Sequence, residues 1–169
     1  MKIEPKSIKV RDIFEGYTDN GDDGVFAYGS KLAIRPAYQR EFVYDTEQAE
    51  AVIHTILKGF PLNVMYWVKV GNDQYEVLDG QQRTLSVMQY LQHKFPITLD
   101  DKKYYWDALP DDKYNAIMNY DFMIYICEGN ESEKLDWFKV VNIAGEKLDR
   151  KSTRLNSSHT DSSRMPSSA

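Results

Sequence analysis

The sequence lacks the features that support disulfide bonding, export or a membrane span. Its 169 residues include one cysteine, Cys127, which cannot form an internal disulfide. The thiol lies in the apolar run FMIYIC, which predicts a buried core cysteine. No stretch reaches the roughly eighteen apolar residues that a spanning helix needs, and no signal-peptide pattern is present. We therefore expect a cytoplasmic protein that does not act in a membrane.

Several common catalytic motifs are also missing. There is no Walker-type phosphate loop, no paired-cysteine metal box and no nucleophile elbow. The histidines are three and widely separated: His54, His93 and His159. The acidic loop that begins at Asp19 would need a glutamate at its twelfth position to match an EF-hand, and Ser30 stands there. The sequence predicts no metal site.

Charge is distributed unevenly along the chain. The net charge is −5, while the last twenty residues contain four arginines and lysines and one aspartate, so residues 1–149 carry −8. An acidic body lacks the broad basic surface of a duplex-DNA binder. Residues 150–169 are rich in serine, have no apolar period and look like translated vector sequence. We predict a domain over 1–149, incomplete at its C-terminus, and a disordered, non-native tail over 150–169.

Apolar spacing predicts helices and strands mixed along the chain. The clearest helix runs from Thr46 to Lys58, is capped by Asp45, and is stopped by Gly59 and Pro61. Its apolar stripe consists of Ala49, Val52, Ile53, Ile56, Leu57 and Phe60. Further strands are predicted at Ser7–Val10, Lys31–Ile34, Asn63–Val70, Gln74–Leu78, Ile97–Leu99 and Phe122–Cys127, and further helices at Asp107–Asn119 and after Asn130. Residues 16–29 read as a loop.

The strongest functional signal is the polar turn over residues 79–83, with the sequence DGQQR. It joins the strand that ends at Leu78 to a helix in which Leu85, Met88 and Leu91 recur at three-residue spacing. Such a junction can gather free backbone N–H groups, the positive end of a helix dipole and a guanidinium. Phosphate is the anion that this combination suits best.

Each residue of the turn has both a functional and a structural interpretation. Gly80 permits a positive φ or a close backbone approach, or serves a tight turn alone. Arg83 opposes the helix dipole at its position, which favours a bound phosphate over a salt bridge. Asp79 is either the helix N-cap, with Gln82 at the capping-box position, or a contact for metal or water. Gln81 and Gln82 orient water or donate to phosphate, or are exposed helix residues.

A second candidate segment is Tyr38-Gln39-Arg40, which lies in an irregular stretch where functional residues concentrate. Arg40 would supply a second cation to the same phosphates. Alternatively, it pairs with Glu41 or Asp45.

Three segments together resemble one bacterial family, the N-terminal domain of GmrSD-type modification-dependent restriction endonucleases. They are RPAYQREFVY at Arg35–Tyr44, followed by an amphipathic helix ending in GFPL; VLDGQQR at Val77–Arg83; and WFKVVNIAGEKL at Trp137–Leu148. The match covers nearly all of residues 5–149, in order.

The resemblance implies a mixed α/β (α+β) fold similar to ParB and sulfiredoxin domains, with a small twisted sheet flanked by helices. In those domains a G-x-x-R turn before a helix holds nucleotide phosphates, which here corresponds to Gly80 and Arg83. Members often act in defence against phage with modified DNA, and some resemble NTP-hydrolysing sensors followed by an HNH nuclease domain. This chain lacks the expected continuation after Leu148, so DNA would be contacted through that missing region or through a partner.

We therefore expect a regulatory domain that binds, and in one version hydrolyses, an NTP of unspecified base, with or without Mg²⁺. The catalytic candidates are Asp79, Gln81, Gln82 and Arg83, and the nucleotide-binding candidates are Gly80, Arg83, Tyr38, Gln39 and Arg40. The alternative is a non-catalytic module that binds modified DNA or a partner protein, in which DGQQR only supports the fold. A third hypothesis is a direct nuclease of the ParB-like kind.

Overall fold

The computed structural model describes residues 1–35, 45–137 and 139–140. The chain divides into two units, one over Met1–Glu128 and a second that begins at Gly129. Helices and strands are mixed along the first unit, which confirms the predicted mixed α/β class. The likeness to ParB and sulfiredoxin domains stays a prediction, and so does the domain boundary at residue 149.

Nine strands are present in the described residues: β1 (Lys2–Lys9), β2 (Thr18–Asp19), β3 (Val25–Ala27), β4 (Leu32–Arg35), β5 (Met65–Gly71), β6 (Gln74–Asp79), β7 (Ile97–Leu99), β8 (Lys102–Tyr104) and β9 (Asp121–Glu128). The helices of the first unit are α1 (Val10–Phe14), α2 (Thr46–Leu57), α3 (Gln81–Leu91) and α4 (Asp111–Met118), with 3₁₀ turns at Gly21–Asp23 and Trp106–Ala108.

Seven strands form one mixed sheet in the order β1-β9-β5-β6-β4-β3-β2, and β7 pairs with β8 in a separate hairpin. β4 and β6 are parallel, as are β5 and β9, whereas β5 and β6 form an antiparallel hairpin. The carboxyl ends of β4 and β6 therefore lie at the same edge of the sheet as the start of β5. This edge carries the predicted DGQQR turn.

Helix α2 begins at Thr46 and ends at Leu57, with Lys58 as its C-cap, close to the predicted bounds. The Asp45 carboxylate accepts the Glu47 N–H at 3.0 Å, which caps the first turn. At the other end the Gly59 N–H donates to the Ile56 carbonyl and the Phe60 N–H to the Thr55 carbonyl, with Gly59 at φ +72°. These two bonds form a Schellman motif.

The Schellman motif changes the position of Phe60. Predicted as part of the buried stripe of α2, Phe60 is 57% exposed, because the left-handed Gly59 turns the chain away from the helix axis. The stripe residues before it, from Ala49 to Ile56, are buried as predicted.

Helix α3 is the central helix of the unit. It buries seven of its eleven residues, including Leu85, Met88 and Leu91, so it is covered on most sides. The core includes residues from α2 and α3 together with large side chains of the central strands, such as Trp67 on β5 and Phe122 on β9. A helix held this firmly fixes the position of its first turn.

Other elements differ in extent from the sequence prediction. The first strand begins at Lys2, earlier than the predicted Ser7, and the predicted loop over 16–29 contains β2 and β3. Strand β8 was not predicted, although its partner β7 was. The predicted helix Asp107–Asn119 is divided, because Pro110 forms the N-cap of α4 after a 3₁₀ turn.

The edge strand β1 pairs along its full length with β9. Pro5 lies in the middle of it and has no N–H to donate, which interrupts the row of donors that an edge strand presents.

In the second unit the structure describes a helix over 131–137 and 139–140. The side chain of Asn130 accepts the Glu133 N–H at 2.8 Å and donates to the Glu133 carboxylate at 2.8 Å, which caps the helix predicted after Asn130.

Candidate functional site

The DGQQR corner, residues 79–83, is the junction of β6 and α3. Gly80 is the N-cap of α3 and has φ +102°, as the sequence predicts for a glycine here. A Cβ at this position would lie 2.6 Å from Cγ and 2.9 Å from Cβ of Met65, which is fully buried. Both the backbone conformation and the close approach of β5 therefore require glycine.

Arg83 spans the corner and the start of β5. Its Nη1 donates to the Asn63 carbonyl at 2.6 Å, and its Nη2 lies 3.5 Å from the Asp79 carboxylate. The side chain of Arg83 is 20% exposed and that of Asp79 is 46% exposed. Because a guanidinium has five N–H groups, these two contacts fix its position and leave three donors without a partner in the described part of the chain.

The start of α3 has no side-chain cap. The predicted capping role of Asp79 is wrong, because Gly80 takes the N-cap position and the Asp79 carboxylate turns to Arg83 instead. In the described ranges the backbone N–H groups of Gln82 and Arg83 have no acceptor. These donors and the Arg83 guanidinium belong to the same helical turn, which makes it suitable for an anion.

The two glutamines of the corner differ in their contacts. The Nε2 of Gln81 donates to the Ile34 carbonyl at 2.6 Å, so this side chain links α3 to the end of β4. The side-chain amide of Gln82 makes no hydrogen bond within residues 1–35, 45–137 and 139–140. Gln82 is therefore the amide that is available for an incoming molecule.

Sequence reasoning missed two residues that shape the corner. Thr84 is fully buried, and its hydroxyl donates to the Gly80 carbonyl at 2.8 Å and contacts Sδ of Met65 at 3.4 Å. Asn63 supplies the carbonyl that holds Arg83. The Thr84 contact could have been predicted, because a threonine hydroxyl in a helix often donates to the carbonyl four residues earlier. The Asn63 contact could not, because Asn63 lies twenty residues before Arg83 and no sequence pattern links them.

The end of β4 brings a second charged group to this edge. Arg35 is 3% exposed and donates to the Gly21 carbonyl. Near it, burial raises the pKa of Tyr17 to about 12, with Asp19 adding to the increase and Arg35 opposing it. The segment that contains Tyr38-Gln39-Arg40 begins directly after Arg35, but these three residues lie outside the described ranges.

Other features are separate from the corner. A cavity of about 140 Å³ is lined by residues near the opposite end of the sheet: Lys2, Glu4, Lys6, Lys69, Tyr75, Ile126 and Glu128. Its walls include the ion pairs Lys2–Glu4 and Lys69–Glu128. Two of its three lysines are thus paired with glutamates at exposed positions, which offsets their charge toward an anion.

The described residues lack both a metal-binding cluster and a membrane-spanning helix. They contain no cluster of three or more His, Cys, Asp or Glu side chains that could hold a metal ion. Likewise, no helix in these ranges has the length and apolarity that crossing a bilayer requires.

Comparison with known proteins gives one match. No curated protein and no solved structure matches the chain. The family described as "GmrSD restriction endonuclease, N-terminal domain" matches residues 10–158, which is most of the sequence. The chain therefore belongs to the family of GmrSD restriction endonuclease N-terminal domains, and it is a domain of a restriction protein that acts in phage defence.

Proposed function

We propose that the DGQQR corner binds the phosphates of a nucleoside triphosphate and so regulates the restriction protein. The observation that carries the proposal is the position of Arg83: its guanidinium is fixed beside uncapped N–H groups of the same helical turn. The corner also lies outside the carboxyl ends of parallel strands β4 and β6, where open α/β sheets commonly bind their ligands.

The corner offers a triphosphate several hydrogen-bond donors. The N–H groups of Gln82 and Arg83 and the remaining donors of the guanidinium would bind phosphate oxygens. Gly80 sets the left-handed turn that places these N–H groups at the start of α3, with its Cα packed against the buried Met65. The half-exposed carboxylate of Asp79 would repel phosphate directly, but one carboxylate together with phosphate oxygens and water is a common environment for Mg²⁺. When bound there, Mg²⁺ would neutralise phosphate charge.

If the triphosphate is hydrolysed, the two glutamines have different tasks. Gln81 is a positioning residue, because its amide holds the end of β4. Gln82 has a free amide that can orient an attacking water, as glutamines do in other phosphoryl-transfer sites. Arg83 would stabilise the charge that develops on the phosphate oxygens. Arg40, from the segment after β4, would add a second cation.

Calorimetric titration of the chain with ATP, GTP, CTP and UTP tests the proposal, with Mg²⁺ and with EDTA. At least one nucleotide should bind, and more tightly with Mg²⁺. Arg83→Ala should weaken binding roughly ten- to hundred-fold, the range expected for hydrogen bonds to a charged group. Arg83→Lys should weaken it less, because the charge is kept. Lys102→Ala, which removes an exposed positive charge on the β7–β8 hairpin, is the matched control and should bind normally.

The second candidate function is a non-catalytic module that binds modified DNA or a partner protein. The favouring observation is that Arg83 already has two internal acceptors, so the corner could serve the fold alone. Thermal unfolding separates the two functions. A nucleotide at a hundred times its Kd stabilises the folded state by about 2.7 kcal/mol, or roughly 5–10 °C for a chain of this size. If Arg83→Ala lowers the Tm and no nucleotide raises the Tm of the wild type, the DGQQR corner supports the fold and does not bind nucleotide.

A further inference from the structure

We propose that Phe60 is a stacking surface for the base of the nucleotide whose phosphates bind at the DGQQR corner. This inference rests on the proposed function and extends it, because it names the residue that would receive the base of the nucleotide. The first observation is the unexpected exposure of Phe60. Phe60 is the most exposed aromatic side chain of the described residues, at 57%, although the apolar period of α2 predicts that it is buried.

The backbone of Phe60 is fixed on both sides. Its N–H donates to the Thr55 carbonyl at 3.1 Å within the Schellman motif. Its carbonyl accepts the Tyr120 hydroxyl at 2.9 Å, and the same hydroxyl accepts the Leu62 N–H at 2.9 Å. A hydrophobic residue at this position of a Schellman motif normally packs against the last turn of the helix. Here a rigid backbone holds the ring in solvent, which suits a surface that binds without reordering.

The loop that carries Phe60 reaches the corner. Asn63, three residues later, accepts the Arg83 guanidinium at 2.6 Å. Three residues span at most about 10 Å, a distance comparable with that from the end of a triphosphate to its base. The backbone of Phe60 therefore lies near enough to the Asn63–Arg83 contact for the proposed nucleotide to place a phosphate at Arg83 and its base on Phe60.

The chemistry of an exposed phenyl ring favours a base over other occupants of this position. Every nucleobase has a π-face, so stacking on an aromatic ring is strong and tolerant of base identity. The ring offers no hydrogen bond and therefore selects little among the four bases. We expect affinity for several nucleoside triphosphates, with purines favoured by their larger stacking area.

The experiment compares nucleoside triphosphates with inorganic tripolyphosphate, which has the phosphates but no base. In calorimetric titrations with Mg²⁺, Phe60→Ala should bind ATP or GTP on the order of ten-fold more weakly and tripolyphosphate as tightly as the wild type. Arg83→Ala should weaken both. Phe60→Trp should retain or improve nucleotide affinity, and its added indole fluorescence should be quenched by nucleotide but not by tripolyphosphate.

Tyr105→Ala is the control, because Tyr105 is also an exposed aromatic residue but lies away from the corner. The carbonyl of its neighbour Tyr104 accepts the hydroxyl of Tyr90, which is near the C-terminal end of α3. It should leave both affinities unchanged. Equal nucleotide affinity in Phe60→Ala and the wild type would overturn the inference while leaving the proposed function standing. An equal loss for tripolyphosphate would also overturn it, by showing that the substitution disturbs the corner itself. If the wild type binds neither compound, the proposed function and this inference both fail.

Discussion

Gly80→Ala should be one of the most destabilising single substitutions in this chain, and its cost can be worked out from the structure. A left-handed backbone costs a residue with a Cβ about 1–2 kcal/mol. The new Cβ would also lie 2.6 Å from Cγ of Met65, whose surroundings are fully packed, and overpacking of this kind costs about 1–3 kcal/mol. The expected loss is therefore roughly 2–5 kcal/mol of a total stability of about 5–15 kcal/mol.

Urea denaturation of the wild type, Gly80→Ala and two controls measures the two contributions separately. Gly29→Ala has φ +63° and open space around the added Cβ, so it carries the backbone cost alone, about 1 kcal/mol. Met65→Ala removes Cγ and Sδ, which lie 2.6 and 3.1 Å from the added Cβ, and keeps Met65 Cβ at 2.9 Å, so it relieves part of the clash at its own cost of about 2–5 kcal/mol. Gly80→Ala should then cost less in the Met65→Ala background than in the wild type. A loss below about 0.5 kcal/mol, or full additivity in the double mutant, would refute the close approach of Met65 to the corner.

Two further predictions concern titratable groups away from the corner. Burial of Glu50 alone would raise its pKa, but the Thr98 N–H and His54 outweigh burial and lower it. This contribution to stability is therefore fully present above the unfolded pKa of about 4.3 and is lost as the pH falls through the lower pKa of the folded state. Between pH 6 and pH 3 the urea midpoint should fall more steeply for the wild type than for Glu50→Gln, and parallel curves would contradict the Thr98 contact. Burial raises the pKa of Cys127 to about 11, so at pH 8 a disulfide reagent should modify it slowly in the folded protein and rapidly in urea. Similar rates in both conditions would show that the thiol is exposed.

Local patterns predicted much of the fold. The apolar periods of α2 and α3 and the cap at Asp45 depend on residues close in sequence, and they are present in the structure. The order of strands in the sheet was not predictable in this way. It depends on pairings such as β1 with β9, which are more than a hundred residues apart.

The candidate site shows the same division between local and distant information. The left-handed Gly80 was predictable, because only a few residue types suit a strand-to-helix corner. The contacts of Arg83 with Asn63 and of Gln81 with Ile34 depend on how β4 and β5 are placed beside β6. The exposure of Phe60 depends on one left-handed residue, Gly59, which ends the helical period that made Phe60 look buried.

The pairing of β1 with β9 also determines how the first unit responds to tension. Lys2 lies opposite Glu128, so the two ends of the unit leave from neighbouring positions on antiparallel strands. A pull that separates them would load the hydrogen bonds one after another, as in opening a zipper, and would not shear them together. Force applied beyond Glu128 would therefore separate β1 from β9 before it acted on the corner. The Gly80 junction would keep its structure at forces that already detach β1.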